Sequence, residues 1–478
     1  MICNDLVLSS FVQKSILENP FIVDQSLHFD NYDLKKRKQF DNLKSCVNNF
    51  LRGNEYNRFV YMSGIRGVGK TTLIYQIHEY LNLKGISKEN ILYFSADDIN
   101  RILNTDILSV VELFVNEHHQ TSSSEKLFVF VDDVHLIPNC FKQAKYINVL
   151  FKNVFLIFVG SIDLDSQFNY NDISGASKHS ISPLNFNEYL SLNFDFAFDK
   201  NISKELQKCI LTGEISNVIN LENKFYNALP KNKFFIKNNW EHYLVCGCFP
   251  SSLYLDDYWG SKNVYKIIED SVEKDFLYYG GYDYLIKSKI FRVLSYIAFK
   301  DPNSFSKLDL SKFVNLSNLQ VQNILNTLEK LNLIFPVQRY NPNKKRDNRK
   351  IKYYFTNPNY NVALNTEVGE YVYQNINFPS ILSETLVASI LFKMKNAFGQ
   401  EFNIFASRKN NQATFLIEKE KDKLIPVVVG QGIKHKNIIS KTMNEFGSEY
   451  GIIISDLIGS IKRIGDIVYM PILLLSLI

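Results

Sequence analysis

Two rhythms of hydrophobic positions alternate between residues 58 and 190. Short continuous apolar runs, Phe59-Val60-Tyr61-Met62, Ile91-Leu92-Tyr93-Phe94, Leu127-Phe128-Val129-Phe130-Val131 and Val154-Phe155-Leu156-Ile157-Phe158-Val159, are separated by segments whose apolar residues recur every three or four positions. Continuous apolar strands joined through helices predict a parallel sheet covered on both faces, an α/β domain. From about 190 to 285 the spacing stays helical, notably over Ile202–Leu211 and Asn238–Leu244. Three short helical patterns follow, Ile286–Phe299, Lys307–Val314 and Ser317–Leu331, then the strands Leu333–Tyr340 and Ile351–Phe355. That order predicts a winged helix, with Ser317 as N-cap of its third helix and Asn318, Gln320, Gln322, Asn323 and Asn326 on a polar face.

The first strand leads into Gly64-Ile65-Arg66-Gly67-Val68-Gly69-Lys70-Thr71-Thr72 and then into a helix. Gly64, Gly67, Gly69, Lys70 and Thr71 satisfy G-x-x-x-x-G-K-[ST] in the strand-turn-helix setting that gives the pattern its meaning. Glycines let backbone N–H groups curl around a phosphate, a lysine brings a point charge to the β- and γ-phosphates, and a hydroxyl suits magnesium. ATP with Mg2+ is therefore the expected ligand pair. Gly64, Arg66, Gly67, Val68, Gly69, Lys70, Thr71 and Thr72 are the expected nucleotide contacts.

The third strand ends in Asp132-Asp133. An acid at that end of a P-loop sheet approaches the magnesium, and its neighbour can polarise the attacking water. Asp132 and Thr71 are thus expected at the metal, and Asp133 and Lys70 in catalysis. The fourth strand ends at Ser161, the expected γ-phosphate sensor.

At 478 residues the chain is expected to hold about three domains, at roughly 100–200 residues each. Its 46% hydrophobic and 22% charged residues are ordinary for a globular protein. No run of about 18 apolar residues is present, the start lacks the order of a signal peptide, and a cytoplasmic location is expected. The closing Met470–Ile478 is expected to be a buried last strand. A net charge of +5 implies no partner by itself. Lys35, Lys36, Arg37 and Lys38 read as the solvated face of a helix over Tyr32–Leu51. The six cysteines are too scattered for a disulfide framework, and Cys246-Gly247-Cys248 has no second Cys/His pair at ligand spacing, so no zinc site is expected.

Together, Gly64–Thr72, Val131-Asp132-Asp133-Val134-His135, Phe158-Val159-Gly160-Ser161, Ile181–Leu190, Gly247-Cys248-Phe249-Pro250 and Lys352–Pro358 resemble the prokaryotic AAA-type ATPases that carry a C-terminal domain of unknown function. The resemblance runs over about residues 35 to 460. That family usually has Glu where Asp133 stands and Gln where His135 stands. The shorter carboxylate reaches less far toward a water. The chain is thus expected to divide into a lead-in over 1–50, a P-loop ATPase core over 51–190, a helical lid over 191–285, a winged helix over 286–360 and, as the resemblance implies, a restriction-endonuclease-like α/β domain over 361–478.

A nuclease of that last type needs two carboxylates for a metal and an amine beside the nucleophile. The corresponding positions read Thr414, Val428 and Gly430, so the domain is expected to be a degenerate relic without nuclease activity. Glu384 and Glu418 read as surface acids. Lys344, Lys345, Arg346, Arg349 and Lys350 make the wing loop strongly basic, which makes double-stranded DNA a candidate partner. Finally, no arginine occurs between Ile102 and Phe291. Ser174–His179, where the family commonly has Gly-Arg, offers only Lys178. An arginine finger must then come from Arg66, Arg101, Arg292, self-assembly or a protein partner, and slow hydrolysis is expected. The reading is of a slow AAA-type ATPase acting as a nucleotide-dependent switch; the rival is a DNA-binding or partner-docking regulator that holds ATP without turnover.

Overall fold

A computed structural model describes residues 5–29, 32–54, 56–119, 125–161, 173, 175–277, 284–299, 307–341, 351–369, 378–397, 401–407, 412–421, 423–430 and 434–478. It divides into two compact units, Met1–Ser182 and Pro183–Ile478.

The apolar runs of the first unit become the strands β1 (Phe59–Ser63), β2 (Ile91–Ser95), β3 (Leu127–Asp132) and β4 (Val154–Gly160), joined by a fifth, β5 (Ala176–Ser180). All neighbours are parallel, in the order β2-β3-β4-β1-β5. Every residue of β1, β3 and β4 is buried, as a sheet covered on both faces requires. Helices α1 (Asp5–Leu27), α2 (Lys38–Leu51), α3 (Lys70–Leu83), α4 (Ile107–His119) and α5 (Cys140–Leu150) complete the layers. Aromatic rings fill the contact between them: Phe50 packs edge-on to Phe128 at 5.7 Å, and Tyr61 to Phe141 at 5.0 Å. Truncating one such buried ring typically costs about 3–5 kcal/mol.

The helix expected over Tyr32–Leu51 is shorter. Tyr32–Asp33 pairs with His28–Phe29 as a small antiparallel ladder, and α2 starts at Lys38. β5 is an edge strand of only partly buried residues, which is why its Ala-Ser-Lys-His-Ser run carries no apolar signature.

The second unit begins with the helices α6 (Phe186–Phe194), α7 (Ile202–Thr212), α8 (Ser216–Ala228), α9 (Lys233–His242) and α10 (Asp257–Asp270). Then come α11 (Lys287–Phe299), α12 (Lys307–Val314) and α13 (Asn318–Lys330), followed by the antiparallel pair β6 (Ile334–Arg339) and β7 (Ile351–Phe355). Ser317 caps α13 in a reciprocal capping box with Gln320. After α14 (Asn359–Glu367) and α15 (Phe378–Ala397) come β8 (Asn403–Ala406), β9 (Phe415–Glu420), β10 (Lys423–Val429), α16 (Lys434–Phe446), β11 (Gly451–Ser455), β12 (Lys462–Ile464) and β13 (Ile467–Pro471). These strands and the β6–β7 hairpin form one eight-stranded sheet, β12-β13-β11-β10-β9-β8-β6-β7. The join is a parallel pairing of β8 with β6 at Phe405–Gln338 and Ala406–Arg339. The boundary expected at 360 therefore does not divide two sheets.

Two further expectations are corrected. The buried C-terminus is strand only to Pro471 and then turns into a short helix, Ile472–Leu475. Glu384 is no surface acid: its side chain is 18% exposed and accepts hydrogen bonds from Tyr354 Oη at 2.5 Å and Lys352 Nζ at 3.2 Å. Val428 is in the core, and Thr414 Oγ1 accepts the Val429 N–H at 3.0 Å.

Candidate nucleotide site

Six residues, Gly64 to Gly69, connect β1 to α3. Gly67 and Gly69 have φ of 79° and 87°, in the left-handed region that glycine enters without steric cost. Gly64 is required for a different reason: a Cβ there would lie 2.2 Å from the carbonyl oxygen of Ile181, the residue after β5. The loop leads into the first turn of α3, whose N–H groups have no intrahelical acceptor and favour an anion. Lys70, 8% exposed, donates from Nζ to the carbonyls of Gly64 and Ile65, both at 2.9 Å. Its charge is held at the loop rather than in solvent.

Asp132 closes β3, and its Oδ2 accepts the Thr71 hydroxyl at 2.6 Å across 61 residues of sequence. Its Oδ1 accepts the N–H of Asp133 at 2.9 Å. Burial pushes the Asp132 carboxyl above the usual range and the Asp133 charge adds to this, while the Thr71 hydrogen bond opposes it. A divalent cation would reverse that balance. Thr71 and Asp132 are the oxygen pair suited to Mg2+, a hard cation that takes one or two protein oxygens and keeps its waters. Asp133, next in sequence, adopts a left-handed φ of 52°, tolerated by aspartate. Its Oδ1 is 3.4 Å from Arg66 Nη2, so the charge of the loop arginine is directed at the second acid.

Ser161 follows β4 and is buried against His135. Its N–H donates to His135 Nδ1 at 3.4 Å, and its Oγ lies 3.0 Å from His135 Nε2. The expected sensor is therefore linked to the residue three beyond Asp132. Neither residue type nor the 26-residue separation signals this pairing in the sequence.

Arg37 is the clearest correction. It is buried, not part of a solvated face, and its guanidinium donates to the carbonyls of Val68 at 2.7 Å and Ser182 at 3.0 Å. Gln76 of α3 holds the same stretch through the carbonyls of Leu34 at 3.2 Å and Lys35 at 3.3 Å. The segment before α2 therefore clasps the loop from outside. Arg37→Ala should lower stability by about 1–3 kcal/mol, the cost of leaving buried carbonyls unpaired, and weaken nucleotide binding. Arg37→Lys should recover little, because a lysine lacks the two-pronged fork. Thermal melts and nucleotide titrations of both variants check this; two wild-type-like proteins would contradict it.

The other arginines sit as follows. Arg101 is 69% exposed and faces Asp97 and Asp98, whereas Arg292 donates to the Phe313 carbonyl at 2.6 Å and covers that ring. Lys178 lies on β5 beside Tyr61. The basic residues Lys344, Lys345, Arg346, Arg349 and Lys350, and Ser174, fall outside the described residues.

The chain is 25% identical over 472 residues to an uncharacterized protein of Methanocaldococcus jannaschii, covering 97% of this chain and 93% of that one. An uncharacterized protein of Haemophilus influenzae is 24% identical over 283 residues, 58% of this chain and 62% of that one. Among solved structures, a Walker-type ATPase of Pyrococcus abyssi aligns with 71% of this chain and 97% of its own at 12% identity and a TM-score of 0.40. A family described as a domain of unknown function matches residues 237–366. The model of an AAA domain family matches residues 56–190, the stretch that holds the P-loop, both acids and Ser161.

Proposed function

We propose that the chain is an ATP-binding, slowly hydrolysing AAA-type ATPase that works as a nucleotide-dependent switch. The observation that carries this is the convergence of Thr71 Oγ1 and Asp132 Oδ2 to 2.6 Å at the mouth of a glycine turn that holds the Lys70 charge. In this reading the loop amides and Lys70 bind the phosphates, and Thr71 with Asp132 holds the metal. Magnesium, when bound, would neutralise charge developing between the β- and γ-phosphates. Asp133 orients the attacking water, with Arg66 Nη2 3.4 Å from its Oδ1. Ser161 reports on the terminal phosphate through His135. The second unit, read as a helical lid, a winged helix and a degenerate nuclease-like α/β domain, is the output of the switch. The basic run Lys344, Lys345, Arg346, Arg349 and Lys350 is its proposed DNA contact, and self-assembly or a protein partner is the proposed source of an arginine.

The arginine-free stretch from Ile102 to Phe291 favours a second reading, a DNA-binding or partner-docking regulator that holds ATP without turnover. One assay separates them. Dilute chain with Mg-ATP is expected to turn over below roughly 1 s⁻¹, against the about 1–10³ s⁻¹ usual for enzymes, and to accelerate with DNA or at high concentration. No turnover under any of these conditions supports the second reading. Turnover of tens per second in dilute, DNA-free solution contradicts both.

A further inference from the structure

The end of α9 runs into a wider turn, Tyr243–Gly247, whose backbone bonds skip five residues, a form that often marks functional positions. Around this turn His242, Cys246 and Asp257 bring one ligand-type atom each to within 4.8 Å of one another. His242 and Cys246 are four residues apart, on one helical face, and Asp257 opens α10. Cys246 Sγ is 3.7 Å from each ring nitrogen of His242, and His242 Nδ1 is 2.7 Å from Asp257 Oδ1. The packing makes room for the sulfur: a Cβ on Gly260 would lie 2.3 Å from Cys246 Sγ, so only glycine fits there.

We propose that His242, Cys246 and Asp257 form a site for a thiophilic divalent cation of the zinc type, separate from the magnesium pair of the P-loop. Metal–nitrogen and metal–sulfur bonds of about 2.0–2.1 and 2.3 Å at tetrahedral angles place nitrogen and sulfur about 3.5 Å apart. The observed 3.7 Å between Cys246 Sγ and His242 Nδ1, the nitrogen that faces Asp257, is already close to that edge. The nitrogen–oxygen edge should be about 3.4 Å, so the carboxylate must step back by about 0.7 Å from its hydrogen bond with the imidazole. Asp257 can do so because its side chain is 47% exposed, which also gives the ion an entry path. Metal binding forms the metal–sulfur bond and releases the thiol proton to solvent, and water completes the coordination. The mixed sulfur, nitrogen and oxygen donors select against Mg2+, which prefers oxygen. The bound ion would pin the end of α9 to the start of α10, a clamp inside the helical part of the second unit.

The test uses the full chain titrated with Co2+ as a spectroscopic stand-in for Zn2+. The expected result is one equivalent of ion that gives thiolate-to-metal charge-transfer absorption, displaced by Zn2+ and unaffected by excess Mg2+. Oxygen-only binding at the P-loop gives no such band. Cys246→Ser should abolish the band, and Asp257→Asn, at an exposed position that leaves circular dichroism unchanged, should weaken Co2+ at least tenfold. Absence of a thiolate band at one equivalent overturns the proposal. So does a band that persists in Cys246→Ser, or an Asp257→Asn variant that binds Co2+ as the wild type does.

Discussion

Lys70→Ala is expected to remove measurable ATP binding and turnover while the protein stays folded. The ammonium group lies against two loop carbonyls, at 2.9 Å each. Removing it leaves those carbonyls free to take water, a modest loss, but removes the lysine charge proposed to meet the phosphates. Circular dichroism and a thermal melt establish the fold, and an equilibrium titration with a fluorescent ATP analogue reads the affinity. Asp132→Ala should behave differently. It removes the carboxylate that Thr71 meets at 2.6 Å, so the Mg2+ concentration needed for turnover should rise more than nucleotide affinity falls. Equal losses in both quantities would show that Asp132 shapes the loop rather than holding a metal.

Asp133→Ala is expected to lower turnover by about 100-fold or more with nucleotide affinity retained, the signature of a group that positions water rather than one that binds substrate. The side chain is well placed for this: 26% exposed, next in sequence to Asp132, and 3.4 Å from Arg66. The reach of the carboxylate adds a second, independent arm. Asp133→Glu extends it by one methylene and should raise the rate above wild type. A slower Asp133→Glu enzyme with a normal Asp133→Ala affinity would mean that the pairing with Arg66, not the distance to water, sets the rate.

Local chemistry was legible where one stretch of sequence contains its own cause. The glycine turn needs backbone freedom at Gly67 and Gly69 and a lysine after it, and all of that lies within the seven residues Gly64–Lys70. The capping box at Ser317 and Gln320, and the fully buried β3 with its terminal acid, are similarly self-contained. What could not be read depends on partners far along the chain. Arg37 has the same immediate neighbours as a solvated lysine, and only the carbonyls of Val68 and Ser182 make it a buried clasp. β5 is an edge strand of partly buried and exposed polar residues, so it has no apolar run for periodicity to find. The joining of β6 to β8 is a pairing across about 67 residues that no local pattern encodes. The same holds for His135 with Ser161, for Glu384 with Tyr354, and for Asp257 with the His242–Cys246 turn.

The central claim is that this glycine turn binds ATP through the Lys70 charge and the Thr71–Asp132 pair. Isothermal titration of the full chain with ATP, with and without Mg2+, beside Lys70→Ala under identical conditions, measures it most directly. The account predicts saturable one-to-one binding by the wild type that tightens with Mg2+ and is lost in the variant. Wild-type protein that takes up no ATP, or a Lys70→Ala protein that binds it equally well, would contradict it.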